Sequence, residues 1–298
     1  MIAKTRREVP LYLMLLPGAV LVLVYAYGPM VGLAISFQRY NPIRGILRSA
    51  WIGFDNFRYV INTPGVLQVV WNTVFIAVMK IVAGLAVPVT VALLLNEVRT
   101  RPFKRAVQTI VYLPHFLSWV ILGGIMIDIL SPSTGIVNRA LGVLGIEPVF
   151  FLGEARIFPY VLVVSDVWKG FGFGTVVYLA ALTAIDPQLY EAAVVDGAGR
   201  WRQTLHITLP GIAPIVVLMA ALSLGSVLNA GFEQVFALYS PQVYSTGDII
   251  DTLVYRMGLV NNQYGPATAV GLLKSVVGLG LITLSYRLAD RLAGYRIF

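Results

Sequence analysis

Read from its amino terminus, the chain alternates long apolar runs with short polar ones. A helix needs about 20 mainly apolar residues to cross the hydrocarbon of a bilayer. Six segments reach that length: Leu11–Phe37, Val69–Leu95, Val107–Leu130, Phe158–Ile185, Gly211–Leu238 and Pro266–Ala289. The pattern predicts an all-α membrane protein with six transmembrane helices. It also predicts one transmembrane domain over residues 1–298, since no stretch between the runs reads as a separate soluble domain, an internal repeat or a low-complexity segment. The first run is too long for the apolar core of a cleavable signal peptide and ends without a small-residue cleavage site. It reads as a first span behind a basic leader of Lys4, Arg6 and Arg7.

Polar residues within this pattern refine it. Asp248–Val260 places Ile249, Ile250, Leu253, Val254 and Met257 on one helical face, with Asp248, Asp251 and Arg256 elsewhere. That spacing predicts a short amphipathic helix lying either on the membrane surface or on a partner. Lys80, Lys169, Lys274, Asp128, Asp166 and Glu233 fall inside the expected spans. A charge within the bilayer is costly, so each is expected at a protein interface, a wet path or the headgroup level. Asp166 and Lys169 are three residues apart, a spacing that allows an ion pair along one helix.

Composition agrees with this pattern: 58% of the 298 residues are hydrophobic and 12% are charged, against about 25% charged in soluble domains. The net charge of +8 would point to nucleic acid in a soluble protein. Here the lysines and arginines sit between apolar runs, so they read as topology signals facing an anionic membrane surface, with no nucleic-acid partner. Six spans put both termini on one side. With the amino terminus inside, the inner segments hold twelve lysines and arginines and the outer loops seven. The positive-inside rule then places both termini in the cytoplasm. There is no cysteine, and His115 and His206 are the only histidines, without clustered acidic neighbours. No metal site is expected from that set.

The most informative polar stretch is Asp186–Pro210. Asp186 before Pro187 is a helix start, since Asp caps free amides and Pro fits the first helical position. An Ala-rich helix follows, Gly197 and Gly199 break it, a second short helical piece starts from Arg200, and Pro210 is expected to open the next span. Glycine permits the sharp turn without a Cβ penalty. Physics alone leaves two readings open, a docking element or an ordinary amphipathic loop.

The loop resembles the signature loop of binding-protein-dependent ABC importer permeases: Glu-Ala-Ala, three residues, Gly, nine residues, Ile-x-Leu-Pro. Here those positions are Glu191, Ala192, Ala193, Gly197, Ile207, Leu209 and Pro210, in register, and Asp196 is typical as well. The resemblance extends over most of the chain and is to the sugar-type permeases. It is carried by Trp51-Ile-Gly-Phe-Asp-Asn-Phe57, Asn72-Thr73, Tyr112-Leu-Pro114, and Gly135 with Asn138. Leu113–Trp119 and Trp168–Gly174 most resemble the branch that handles oligosaccharides and polysaccharide fragments. The resemblance implies a type I ABC importer permease fold and a second permease subunit, distinct in the usual family pattern. It also implies an ABC ATPase dimer that carries ATP and Mg, and an extracytoplasmic solute-binding protein. It makes Asp186–Pro210 a coupling loop, with Glu191 and Gly197 as the docking residues.

None of the five lysines follows a glycine, so the G-x-x-x-x-G-K-[ST] phosphate loop is absent, the chain is not expected to be an enzyme, and ATP hydrolysis falls to a partner. Sugar sites combine aromatic faces with hydrogen-bonding groups. The spans flanking the loop offer both, and by resemblance to the maltose relative Phe173, Asn229, Phe232 and Glu233 are nominated for the substrate path. Competing readings are a permease for another polar solute and an ion-gradient-driven transporter, in which the membrane charges would be coupling sites. A membrane-embedded enzyme lacks any His-rich or paired-carboxylate constellation to support it.

Overall fold

A computed structural model describes the backbone of residues 2–293 and the side chains of residues 10–288 and 290. Five described helices are long and apolar enough to span a membrane: Pro10–Phe37, Val66–Glu97, Phe158–Thr183, Arg200–Leu224 and Tyr264–Leu288. Two further helices, Arg101–Phe116 and Trp119–Ile129, are together long and apolar enough for a sixth span and are bent by 105° at their junction. Val66–Glu97 has 32 residues; at 1.5 Å per residue it runs about 48 Å, beyond the ~30 Å hydrocarbon core.

Two expected spans are corrected. The sequence predicts Val107–Leu130 as one helix, but the chain narrows to a 3-10 turn over Leu113–Phe116 and restarts at Trp119. Pro114 supplies no amide to the helical ladder, and Ser118 caps the restart by accepting from the Ile121 amide at 3.4 Å. The predicted fifth span, Gly211–Leu238, begins earlier and ends earlier. It runs Arg200–Leu224, and a separate short helix, Phe232–Leu238, follows a break at 225–231. Pro210 therefore lies inside the helix rather than opening it. The turn before it, Thr204–Thr208, is wound wider than an α-helix. This relieves the clash a proline ring makes with the preceding carbonyls.

The chain divides into two compact units, Gly65–Leu253 with the segment from Lys274 onward, and Met1–Pro64 with Val254–Leu273. In the larger unit the second and fourth spans form the main packing. A cluster of Ala92, Tyr178, Leu182 and Ile212 sits at its centre. Small residues permit the close approaches expected between membrane helices. A Cβ on Gly172 would lie 2.0 Å from the Val111 carbonyl oxygen, and one on Gly174 3.2 Å from the Pro88 ring. Asn72 and Thr73 also find their purpose here. The Asn72 amide donates to the Ser245 and Asp248 carbonyls at 3.2 Å each, and the Ile250 amide donates to Thr73 Oγ1 at 2.9 Å.

Those bonds correct the reading of Asp248–Val260. A helix forms over Ile250–Tyr255, followed by a wider turn at Arg256–Val260. Ile249, Ile250, Leu253 and Met257 are buried within the chain itself, so this apolar face is neither a lipid-surface nor a partner-facing stripe. In the smaller unit, Gln38–Arg39 pairs antiparallel with Ala50–Trp51. Buried Asn56 donates to the Ser36 and Gln38 carbonyls at 2.9 Å each, which fixes the Trp51–Phe57 motif against the end of the first span.

Candidate functional site

The Asp186–Pro210 loop folds as a helix, a glycine turn and a second helix. Asp186 Oδ1 accepts from the Gln188 amide at 2.9 Å, and Pro187 begins the first helix, which ends at Val195. The end is closed by paired backbone bonds, Gly197 to the Val194 carbonyl at 3.0 Å and Ala198 to the Ala193 carbonyl at 2.8 Å. Gly197 has φ +72°, the left-handed conformation that such a closure requires. No atom lies within 4 Å of a Cβ built there, so conformation, not crowding, selects glycine within this chain. Gln203 Nε2 donates to the Ala198 carbonyl at 2.8 Å, and the Tyr190 and Thr208 hydroxyls lie 3.0 Å apart. These bonds brace the two arms.

The eight nominated coupling residues divide by exposure. Glu191, Ala192, Asp196 and Gly197 lie on the open surface, as does Pro210 at the root of the fifth span. Ala193, Ile207 and Leu209 are half-buried, and Leu209 packs against the Ala92–Tyr178–Leu182–Ile212 cluster. The exposed face also carries apolar side chains that sequence reasoning missed, Val195 at 87% exposure and Trp201 at 72%. Exposed apolar groups gathered on one short loop can form a contact surface. Arg200 pairs with Glu97 at the end of the second span, tying the loop to the span beneath it.

A cavity of about 280 Å³ opens among the second, fourth and fifth spans. Lys80, Asp166, Tyr178, Ser223, Ser226 and Asn229 form its polar wall. Lys80 is 9% exposed, donates to the Ala230 carbonyl at 2.7 Å and to Gln234 Oε1, and lies 3.6 Å from Asp166. The expected Asp166–Lys169 pair does not form. Lys169 instead donates to the His115 carbonyl at 2.8 Å and lies 5.8 Å from the centre of the Trp119 ring. That bond is possible because the bend in the third span turns the His115 carbonyl out of its own helix.

Of the four substrate-path nominees, Asn229 lines this cavity and the others lie off it. Phe173 is half exposed and stacks on the His115 ring, with centroids 4.3 Å apart. Phe232 stacks on Phe236 at 5.3 Å, and Glu233 is exposed. Ser223 and Ser226 were missed because their place on the cavity depends on where the fifth span ends. His206 Nδ1 lies 3.0 Å from the Arg202 carbonyl, a local bond along the widened turn.

Comparisons with known proteins bear on both sites. The family described as "Binding-protein-dependent transport system inner membrane component" matches residues 84–294. Protein LplB of Bacillus subtilis (strain 168) is 42% identical over 280 residues, covering 94% of this chain and 88% of that one. The polygalacturonan/rhamnogalacturonan transport system permease protein YteP of the same organism is 42% identical over 281 residues, with the same coverage. Among solved structures, a bacterial ABC transporter involved in the import of the acidic polysaccharide alginate contains a chain 39% identical to this one. Its TM-score is 0.89, covering 97% of this chain and 98% of that one.

Proposed function

The chain belongs to the family of binding-protein-dependent transport system inner membrane components, and we propose that it imports fragments of an acidic polysaccharide. In this reading it forms part of the translocation path and couples to a separate ATPase through Asp186–Pro210. Its partners are a second permease, an ABC ATPase dimer that binds ATP and Mg, and an extracytoplasmic binding protein that delivers the solute. The carboxylate-bearing polymers named for two relatives support the substrate class.

The observation that carries coupling is the form of the loop: a braced helix–glycine–helix with Glu191, Ala192, Asp196 and Gly197 on its open face beside Val195 and Trp201. Being joined directly to the fourth and fifth spans, it passes a push from a docked ATPase into the helices that wall the cavity. The lysine and arginine excess puts the loop and both termini in the cytoplasm. The cavity suits a sugar through Asp166, Ser223, Ser226 and Asn229, which accept or donate to hydroxyls, and through the Tyr178 ring beside them.

The test compares wild type with Gly197→Asp in detergent. A left-handed aspartate costs about 1–2 kcal/mol in backbone strain, and its carboxylate stands on the docking face. Wild type should co-purify with the ATPase and the variant should lose it, while both insert in the membrane at equal levels. Wild-type association and transport by the variant would reject the coupling role.

A further inference from the structure

Lys80 is costly to place, a cation buried within a membrane span. A lysine ammonium has three protons and no acceptor. One goes to the Ala230 carbonyl at 2.7 Å and one to Gln234 Oε1. Asp166 stands 3.6 Å away and balances the charge beyond hydrogen-bond distance. Both principal acceptors come from the broken segment that follows the fifth span. Ala230 and Gln234 are fully buried.

The rest of the network fixes how Gln234 is oriented. Its Nε2 donates to the Leu162 carbonyl at 2.7 Å and to Ser165 Oγ at 2.8 Å, both on the fourth span. Lysine only donates and a carbonyl only accepts, so the amide has one satisfied orientation. Gly231, between the two acceptors, has φ +92°, and a Cβ there would sit 3.0 Å from the ammonium. The glycine therefore provides both the backbone turn and the space the ammonium occupies. The second span, the fourth span and the break are tied at this one point.

The tie lies on the wall of the cavity. Ser226 and Asn229, exposed and facing the cavity, belong to the same break that Lys80, itself on the cavity wall, holds. We propose that Lys80 is a positioning residue for translocation: by holding the Ala230 carbonyl and Gln234 it seats the break after the fifth span, so that Ser226 and Asn229 face the substrate path. Its ammonium is engaged with the protein, so Lys80 sets the geometry of the path rather than acting as the group that binds a substrate carboxylate. This inference rests on the importer reading above.

The chain has no cysteine, which permits a test independent of the transported solute. Asn229→Cys is placed alone in the chain, assembled in the full transporter in lipid nanodiscs, and labelled with a charged methanethiosulfonate reagent. Lys80→Met, which keeps the stem but removes the ammonium, should change the labelling rate at 229 by at least about fivefold. Lys80→Arg should stay closer to the parent. Gly231→Ala, which crowds the ammonium without removing its charge, should move the rate in the same direction as Lys80→Met. Because Gly231→Ala also strains the turn at φ +92°, Gln234→Leu, which removes an acceptor of the ammonium and leaves the backbone of the turn alone, decides the matter if Lys80→Met does not assemble. A cysteine at Val195 in the distant loop should label equally in all backgrounds. A merely structural role would lower the yield of assembled complex and leave the rate per complex at 229 unchanged; that result would overturn the proposal. Loss of the ATPase from the wild-type complex would instead overturn the importer reading, so the two failures are separable.

Discussion

At the scale of single residues, buried asparagines carry much of the tertiary specificity. In a largely apolar interior an unmet backbone carbonyl is expensive, and Asn56, Asn72 and Asn138 each supply amide protons to carbonyls of another segment. Asn138 goes further, donating to the Ser131 and Val149 carbonyls at 3.0 Å and accepting from the Val149 amide at 2.8 Å, which closes the loop after the third span. Removing Asn72 strands two carbonyls, at Ser245 and Asp248. Asn72→Ala should therefore cost about 1–3 kcal/mol, read as a lower midpoint of thermal aggregation of the detergent-solubilised protein. An unchanged midpoint would mean that other donors satisfy those carbonyls. The asparagines were visible in the sequence as recurring pieces, but their purpose was not. Every residue has a carbonyl, so an acceptor 173 or 176 positions away leaves no mark in the sequence.

At the scale of elements, the apolar runs marked the segments able to span and most of their positions, because length and composition are what a bilayer selects. They did not reveal where the third span bends or where the fifth ends. Hydropathy continues through Leu228 and Val235 across the break, and a bond that holds the break comes from a remote residue, the lysine on the second span that donates to the Ala230 carbonyl. Close packing was likewise hidden, since a glycine that admits a neighbour looks like one that admits nothing. Gly170 and Gly172 lie two residues apart in the fourth span. A Cβ at 172 would strike the Val111 carbonyl oxygen at 2.0 Å, whereas one at 170 would meet nothing within 4 Å. Gly172→Ala should destabilise by about 1–3 kcal/mol through forced separation of the two backbones. Gly170→Ala should be neutral or gain up to about 1 kcal/mol of helix propensity. Thermal midpoints of the two variants, measured side by side, check this; equal shifts would mean that the contact at 172 yields without cost.

At the scale of the whole molecule, direction of transport in the proposed reading depends on which side of the membrane receives the loop Asp186–Pro210. Counting spans, with the bent pair as one, the loop at 184–199 and the short connection after Glu97 lie on one side, and the segment from Leu130 to Ile157 lies on the other. The Glu97–Arg200 ion pair agrees with that count, since both residues belong to the first group. Had the bent pair been a re-entrant loop instead of a span, Glu97 and Arg200 would fall on opposite faces and could not meet. In the proposed reading, the charge excess puts the loop's side in the cytoplasm. The absence of native cysteine allows a direct check with single cysteines at Val195 and Val143, which are 87% and 88% exposed. In spheroplasts a membrane-impermeant maleimide should label Val143→Cys and spare Val195→Cys, and both should label after permeabilisation. Labelling of Val195→Cys in intact spheroplasts would reverse the orientation. The loop would then face away from cytoplasmic ATP, and its resemblance to a coupling element would carry no mechanism. Labelling of both or neither in intact spheroplasts would put the two positions on one side, so that Phe158–Thr183, the helix between them, would not cross the membrane, contradicting the span count with which the Glu97–Arg200 contact agrees.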